Sequence, residues 1–310
     1  IGAEVAQPDR SPPVLESSTV ISNLSAERDI FLIVVDGHAH PDVLESEVID
    51  SGSSTRANLE GIGFAVPDSA WAAYSSTHLS IPSLLEMDYP YVPLDGQVPL
   101  RQSSTYETIS GSNAVVRSLK ASGFRYTMVE SGWSGSTCGR DVDRCVRSSV
   151  YDEFLGVVLE RSALGPWLKQ RLGSGFSFNA MRALTWFESN VGEIGRNGQP
   201  DFVFAHLVLP HPPYVLDSDC QVRYDVRYDY STTPPMGDDS GAREAYAEQI
   251  ECLGSRLVDV AASAGPDAVI VVVSDHGSDF GSQVDRDPRH WSDSDIDERF
   301  RTLIAVRSPP

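Results

Sequence analysis

Three apolar runs in this chain stop at side chains that can ionise. Residues 30–36 (IFLIVVD) end in Asp36, with Gly37 behind it. Residues 268–274 (AVIVVVS) lead straight into Asp275, His276 and Gly277. Residues 201–209 (DFVFAHLVL) carry His206 and reach His211 after Pro210. Carboxylates beside an imidazole are a ligand set for a divalent cation. For one such residue alone, a satisfied polar group at a strand-to-loop turn is the better account; the set together favours the cation. A hydroxyl is available in residues 75–85 (SSTHLSIPSLL), just ahead of a helical pattern. Amide N–H groups at a helix start favour anions, and a hydroxyl held there against a metal can attack phosphorus or sulfur. Taken alone, that segment reads equally well as a helix cap.

These residues need elements to hold them. The runs at 30–36 and 268–274 are apolar without alternation, the pattern of strands covered on both faces. Further strands are expected at 63–66, 125–129, 201–209 and 302–306. Helices are expected at 53–61, at 80–87 with Pro82 in the first turn, at 113–122, over most of 150–195, and at 243–264. The last carries Tyr246, Ile250, Leu253, Leu257 and Val260 on one stripe and is stopped by Gly265 and Pro266. The alternation implies an α/β fold, a three-layer sandwich with a mostly parallel central sheet. Such sheets place their chemistry at the carboxyl ends of the strands, where Asp36, His211, Asp275 and His276 fall. Residues 1–25, rich in Pro and Ser, read as a linker or N-terminal arm, and 26–310 as the catalytic domain. The polar loops 134–148 and 215–241 are expected to shape the substrate pocket.

Composition removes several functions. With 24 Lys+Arg against 44 Asp+Glu the formal net charge is -20, a field that repels nucleic acid. No run reaches the ~20 apolar residues of a membrane span. The four cysteines lack zinc-site spacing. They permit three pairings, of which 138–145 with 220–252 is the simplest, and disulfides favour an oxidising compartment. The chain begins at Ile1 rather than Met, so a longer, membrane-anchored protein is expected, with the anchor outside this chain.

Motifs in the order of a known family add to this. Thr77-His78-Leu79-Ser80-Ile81-Pro82 resembles the T-x-x-S-x-P nucleophile motif of lipid A phosphoethanolamine transferases, and Ser274-Asp275-His276-Gly277 resembles their S-D-H-G strand end. Lipoteichoic acid synthases and sulfatase-like hydrolases of the alkaline phosphatase superfamily share that plan. DIFLIVVDGHAHPDVL resembles the first strand of the group, where an acidic residue ligates the metal; Asp36 is the matching position. FVFAHLVLPHPPYV resembles the substrate-side histidine motif and points to His211. The departures are a missing arginine after Ser80-x-Pro82, which disfavours formylglycine sulfatase chemistry, and Asp in place of Glu at the first strand. The full ligand set of two-zinc alkaline phosphatases is absent, as are the transferases' cysteines flanking the nucleophile.

The resemblance implies an extracytoplasmic phosphotransferase with Thr77 as nucleophile and Asp36, Thr77, Asp275 and His276 around one divalent ion, Zn²⁺ or Mn²⁺. His211 acts on the leaving group, and His78 and His290 are candidate substrate contacts. The donor implied is a phospholipid or other phosphodiester carrying phosphoglycerol or phosphoethanolamine. The acceptor is an envelope glycan or lipid, and the protein is expected to be a monomer. His206, inside a strand, is expected to be buried and hydrogen-bonded, and Trp133 either packs or lines a substrate loop. Three other readings stand beside this one. A hydrolase of the same fold uses water as acceptor. A metal-dependent amidohydrolase would read VVDGHAH as an H-x-H motif but needs an eight-stranded barrel. A non-catalytic binding domain would have lost the chemistry.

Overall fold

The run at 30–36 forms strand β1 (Ile30–Asp36), buried from Phe31 to Asp36. In the computed structural model, which describes residues 26–48, 52–89, 102–133, 135–147, 162, 175–194, 198–223, 240–280 and 288–309, β1 sits in the middle of the sheet. Parallel strands flank it on both sides: β4 (Asp201–Pro210) pairs from Ile30↔Phe202, and β5 (Val269–Ser274) from Ile30↔Val269. Beyond β4 lie β2 (Arg125–Val129) and β3 (Arg144–Val146), also parallel. Beyond β5 lies β6 (Ile304–Arg307), antiparallel. The order β3-β2-β4-β1-β5-β6 is that of an open sheet with two edges, which excludes the closed amidohydrolase barrel.

The missing alternation in β1 has a direct cause, since successive side chains of a strand point to opposite faces. Phe31, Ile33 and Val35 enter one core with Leu59, Leu184, Phe187, Leu253 and Leu257. Leu32 and Val34 enter another with Ile81, Leu85, Val116 and Leu119. The first face is covered by α2 (Gly52–Gly61), α6 (Gly175–Asn190) and α7 (Ser240–Ser263), the second by α3 (Thr77–Glu86) and α5 (Ala114–Ala121). Each such side chain contributes roughly 1.5–3 kcal/mol by burial. The expected three layers are therefore present. Short α1 (Pro41–Val43) follows β1, α4 (Gln102–Ile109) packs beside α3, and α8 (Asp293–Phe300) precedes β6.

Two expectations change. Residues 63–66 are not a strand: Ala65 makes one isolated antiparallel bridge to Val306, after a turn at Gly63 with φ +89°. The helix expected at 80–87 starts earlier, at Thr77, which puts Pro82 inside it. It ends at Met87 in the left-handed conformation, whose N–H reaches Leu84 O while Asp88 N–H reaches Ser83 O, satisfying the last carbonyls. Short β3 had no expectation attached to it. The N-terminal arm at 1–25 lies outside the described residues, as do most of 150–174 and the centre of the 215–241 loop.

Candidate metal and nucleophile centre

The three strands that end in ionisable residues prove to be neighbours. Order β4-β1-β5 places His211, Asp36, and Asp275 with His276 at the carboxyl ends of the central strands, with His206 inside β4 beside Val34. The chain leaves β1 through Gly37 at φ +75°, a conformation that only glycine adopts without strain. The turn is fastened from two sides. Tyr246 Oη donates to Gly37 O at 2.8 Å and accepts from Ala39 N–H at 3.1 Å. Ser274 Oγ accepts from His38 N–H at 2.8 Å and donates to His276 O at 2.6 Å.

At the end of β5, Asp275 divides its carboxylate between two tasks. Its Oδ1 accepts from Gly37 N–H at 3.1 Å and His276 N–H at 2.9 Å, while its Oδ2 is buried with no hydrogen-bond partner among the described residues. Asp36 Oδ1 is buried and partnerless as well. Burial pushes the Asp36 carboxyl up, but the neighbouring His211, His206 and His276 outweigh it and hold the group well below the usual carboxylate range. His276 Nδ1 lies 2.9 Å from Gly277 O, so Nδ1 carries the proton and Nε2 offers a lone pair. Around that Nε2 stand Thr77 Oγ1 at 3.3 Å, Asp36 Oδ1 at 3.4 Å and Asp275 Oδ2 at 3.5 Å.

These spacings fit a cation. Tetrahedral bonds of about 2.0–2.1 Å put ligand atoms roughly 3.3–3.4 Å apart. Two buried carboxylate oxygens without partners are costly unless a charge answers them. Asp36, Asp275 and His276 therefore could hold a metal ion. A second group of potential ligands, Glu130 with Cys138 and Cys145, is ruled out because both thiols are joined in a disulfide.

Thr77 is the first residue of α3. Ser76, at the cap position, makes no side-chain capping bond. His211 is partly exposed, with Nδ1 2.6 Å from Pro212 O and its ring centroid 6.4 Å from that of His276. It lines a small recess with Gly37, Tyr214, His276, Asp279 and Arg299. His78, half-buried beside Thr77, has its imidazole pKa pushed down by burial. His290 is exposed on the short 3₁₀ turn Pro288–His290. Neither is among the residues lining the recess.

His206 is more than a buried strand residue: its Nε2 faces Asp36 Oδ2 at 3.4 Å, and Trp133 packs edge-on to its ring at 5.6 Å. Trp133 also meets Tyr106 at 5.5 Å, so its place is a packing one. Sequence reasoning missed Arg299 and Tyr246 as parts of the centre. Tyr246 stood on the predicted apolar stripe, where its hydroxyl gave no signal. The cysteines pair as expected, Cys138 with Cys145 and Cys220 with Cys252.

No family model matches the sequence, and no curated protein matches it either. Solved structures do match in fold. The zinc complex of the C-terminal periplasmic domain of EcEptC from Escherichia coli is 12% identical with TM-score 0.55, covering 95% of this chain and 74% of that one. The integral membrane lipooligosaccharide phosphoethanolamine transferase A of Neisseria meningitidis is 14% identical with TM-score 0.54; the match covers 94% of this chain and half (50%) of that protein. A candidate sulfatase from Bacteroides thetaiotaomicron is 12% identical with TM-score 0.52, covering 91% and 64%. No helix among the described residues is long and apolar enough to cross a membrane. The chain thus shares its fold with the soluble domains of these phosphoethanolamine transferases and with that candidate sulfatase.

Proposed function

We propose that this chain is the catalytic domain of an extracytoplasmic, metal-dependent phosphotransferase. It moves a phospho-alcohol group, of the phosphoglycerol or phosphoethanolamine type, from a lipid donor to an envelope acceptor. One observation carries the reading: Thr77 Oγ1 stands 3.3 Å from His276 Nε2 at a helix start, beside two buried carboxylate oxygens without partners. Asp36, Asp275, His276 and the Thr77 oxygen would hold one zinc or manganese ion. When bound, such an ion lowers the cost of ionising a hydroxyl and offsets charge on a phosphoryl group.

The chain's own residues do the rest. The Thr77 hydroxyl loses its proton to solvent, and its Oγ forms the new bond to phosphorus as the ester bond to the donor's lipid alcohol breaks, leaving the phospho-alcohol group esterified to Thr77. His211, on the recess wall, gives a proton to the departing alcohol oxygen. The first-turn amides of α3 favour the anionic group. The acceptor hydroxyl then attacks phosphorus, His211 takes its proton, and Thr77 is released. His78 and His290 are assigned to substrate contact, His78 close to the phosphorus and His290 further out. Two disulfides support an oxidising compartment, and the membrane anchor is assigned to a segment outside this chain. The protein acts as a monomer.

With water as acceptor the same steps make a phosphodiesterase, which is the second reading. The test offers purified protein with Mn²⁺ or Zn²⁺ three chromogenic esters: a phosphate diester, a phosphate monoester and a sulfate ester. The diester is expected to turn over only with metal and only with Thr77 in place. Preference for the sulfate ester, or turnover that survives Thr77→Ala, overturns the proposal.

A further inference from the structure

One guanidinium joins the two segments whose spacing matters most. Arg299 lies in the last turn of α8, its side chain mostly buried at 14% exposure. Its Nε donates to Ser75 O at 2.9 Å, and an Nη donates to the same oxygen. Its other Nη donates to Gly277 O at 3.4 Å and lies 3.6 Å from Asp279 Oδ2. Ser75 precedes the start of α3 by two residues. Gly277 O is the oxygen that accepts His276 Nδ1–H at 2.9 Å.

The backbone of α8 is docked on the same turn. Gly277 N–H donates to Arg299 O at 2.8 Å. A Cβ at Gly277 would lie 2.0 Å from Glu298 O, so only glycine permits this approach. The turn carrying His276 is therefore fixed to α8 by its main chain. The segment leading to Thr77 meets the end of α8 through one main-chain bond further back, Ala72 N–H to Phe300 O at 2.7 Å, and next to Thr77 through the Arg299 side chain on Ser75 O. Charge-assisted bonds from a planar fork to two carbonyls hold direction as well as distance.

We propose that Arg299 is a positioning residue: it clamps the Ser75 carbonyl to the Gly277 carbonyl and so holds Thr77 Oγ1 within reach of His276 Nε2. This rests on the reading of Thr77 as nucleophile. Arg299 touches main-chain oxygens on both sides and takes no part in bond making. A lysine retains the charge but offers one compact centre, and it cannot span both carbonyls with the same geometry.

The test compares wild type, Arg299→Gln and Arg299→Lys with a chromogenic phosphate diester and Mn²⁺, and follows amide hydrogen exchange in the same proteins. Misplacing a reacting group by about 1 Å costs on the order of 10²-fold in rate, so kcat of the Gln variant is expected to fall roughly 30- to 100-fold with KM within about threefold. The Lys variant is expected to recover little of it. The amides of Leu79 and Ser80, which donate to Ser76 O at 3.1 and 2.9 Å, should exchange about tenfold faster while those of β1 stay protected. Wild-type kcat in the Gln variant, full recovery by Lys, or unchanged exchange at Leu79 and Ser80 overturns the clamp. If wild type shows no Thr77-dependent turnover, the nucleophile reading fails, and the exchange measurement alone decides for or against the clamp.

Discussion

Thr77 Oγ1 and His276 Nε2 stand 3.3 Å apart although 199 residues separate them in the chain. Nothing local brings them together. His276 rides on the end of a central strand, and Thr77 opens a helix packed on one face of that sheet through Ile81 and Leu85. The centre is thus the meeting point of a strand end, which supplies cation ligands, and a helix start, where backbone N–H groups favour anions.

Asp275→Asn separates metal binding from stability. The amide oxygen can keep both N–H bonds now made to Oδ1, while the partnerless buried charge at Oδ2 disappears. Removing an uncompensated buried charge stabilises the metal-free protein, and a gain of about 1 kcal/mol moves the midpoint by about 2–4 °C in a domain of this order of size. Thermal scans without metal should show a midpoint equal to or above wild type. The upward shift that Mn²⁺ or Zn²⁺ gives wild type should vanish. A metal-induced shift of wild-type size in this variant removes Asp275 from the ligand set.

Acid should destabilise the fold through His40. Its side chain is fully buried, with Nδ1 accepting from Asp42 N–H at 3.3 Å and Nε2 3.1 Å from Pro67 O. That is a neutral imidazole in one tautomer, and burial lowers its pKa from 6.5. The unfolded chain therefore takes up the proton first as pH falls below about 6.5, and stability declines from there toward the lowered folded value. Midpoints measured from pH 7.5 down to 5.5 should fall less steeply in His40→Asn than in wild type. Identical slopes would remove His40 as the cause.

The two disulfides should differ in worth. Their sequence separations are 7 for Cys138–Cys145 and 32 for Cys220–Cys252. On loop entropy alone these correspond to about 2.4 and about 3.7 kcal/mol. Replacing both cysteines of the longer loop by Ala should lower the midpoint more than replacing those of the shorter one. Buried Cys252 also leaves a cavity in the core. The opposite ranking in matched thermal scans would contradict this.

Gly277→Ala should damage fold and chemistry together. The added Cβ meets Glu298 O at 2.0 Å, so α8 must move off the turn that carries His276. Overpacking of this kind costs about 1–3 kcal/mol. Gly265→Ala is the control, since open space surrounds that position although its φ of +82° strains any side chain there. A lower midpoint in both with lost turnover only in Gly277→Ala is expected. Equal turnover in the two variants would show that the turn tolerates displacement.

Much of the centre was legible because its parts have local signatures. Asp36, Asp275 and His276 end uninterrupted apolar runs, and such runs are buried strands whose carboxyl ends collect function. Neighbouring order could not be read from those runs, since strand adjacency is decided by packing at long range. Thr77 took meaning from its motif, because a threonine before a helix is an ordinary cap. Pro82 misled: proline suits a first turn, but here it sits deeper in α3, buried with Ile81 and Leu85. Arg299 left no trace in the sequence. Beside Asp279, its partners are main-chain oxygens of Ser75 and Gly277, and any residue supplies those.

The central claim is the covalent step at Thr77, and the intact mass of the metal-loaded protein tests it most directly. Exposure to candidate phospholipid donors, phosphatidylglycerol and phosphatidylethanolamine among them, should add the mass of one phospho-alcohol group. Fragmentation should place that group on Thr77, and Thr77→Ala should remain unmodified. The same mass gain in Thr77→Ala, or a gain placed on another residue of wild type, would contradict the account.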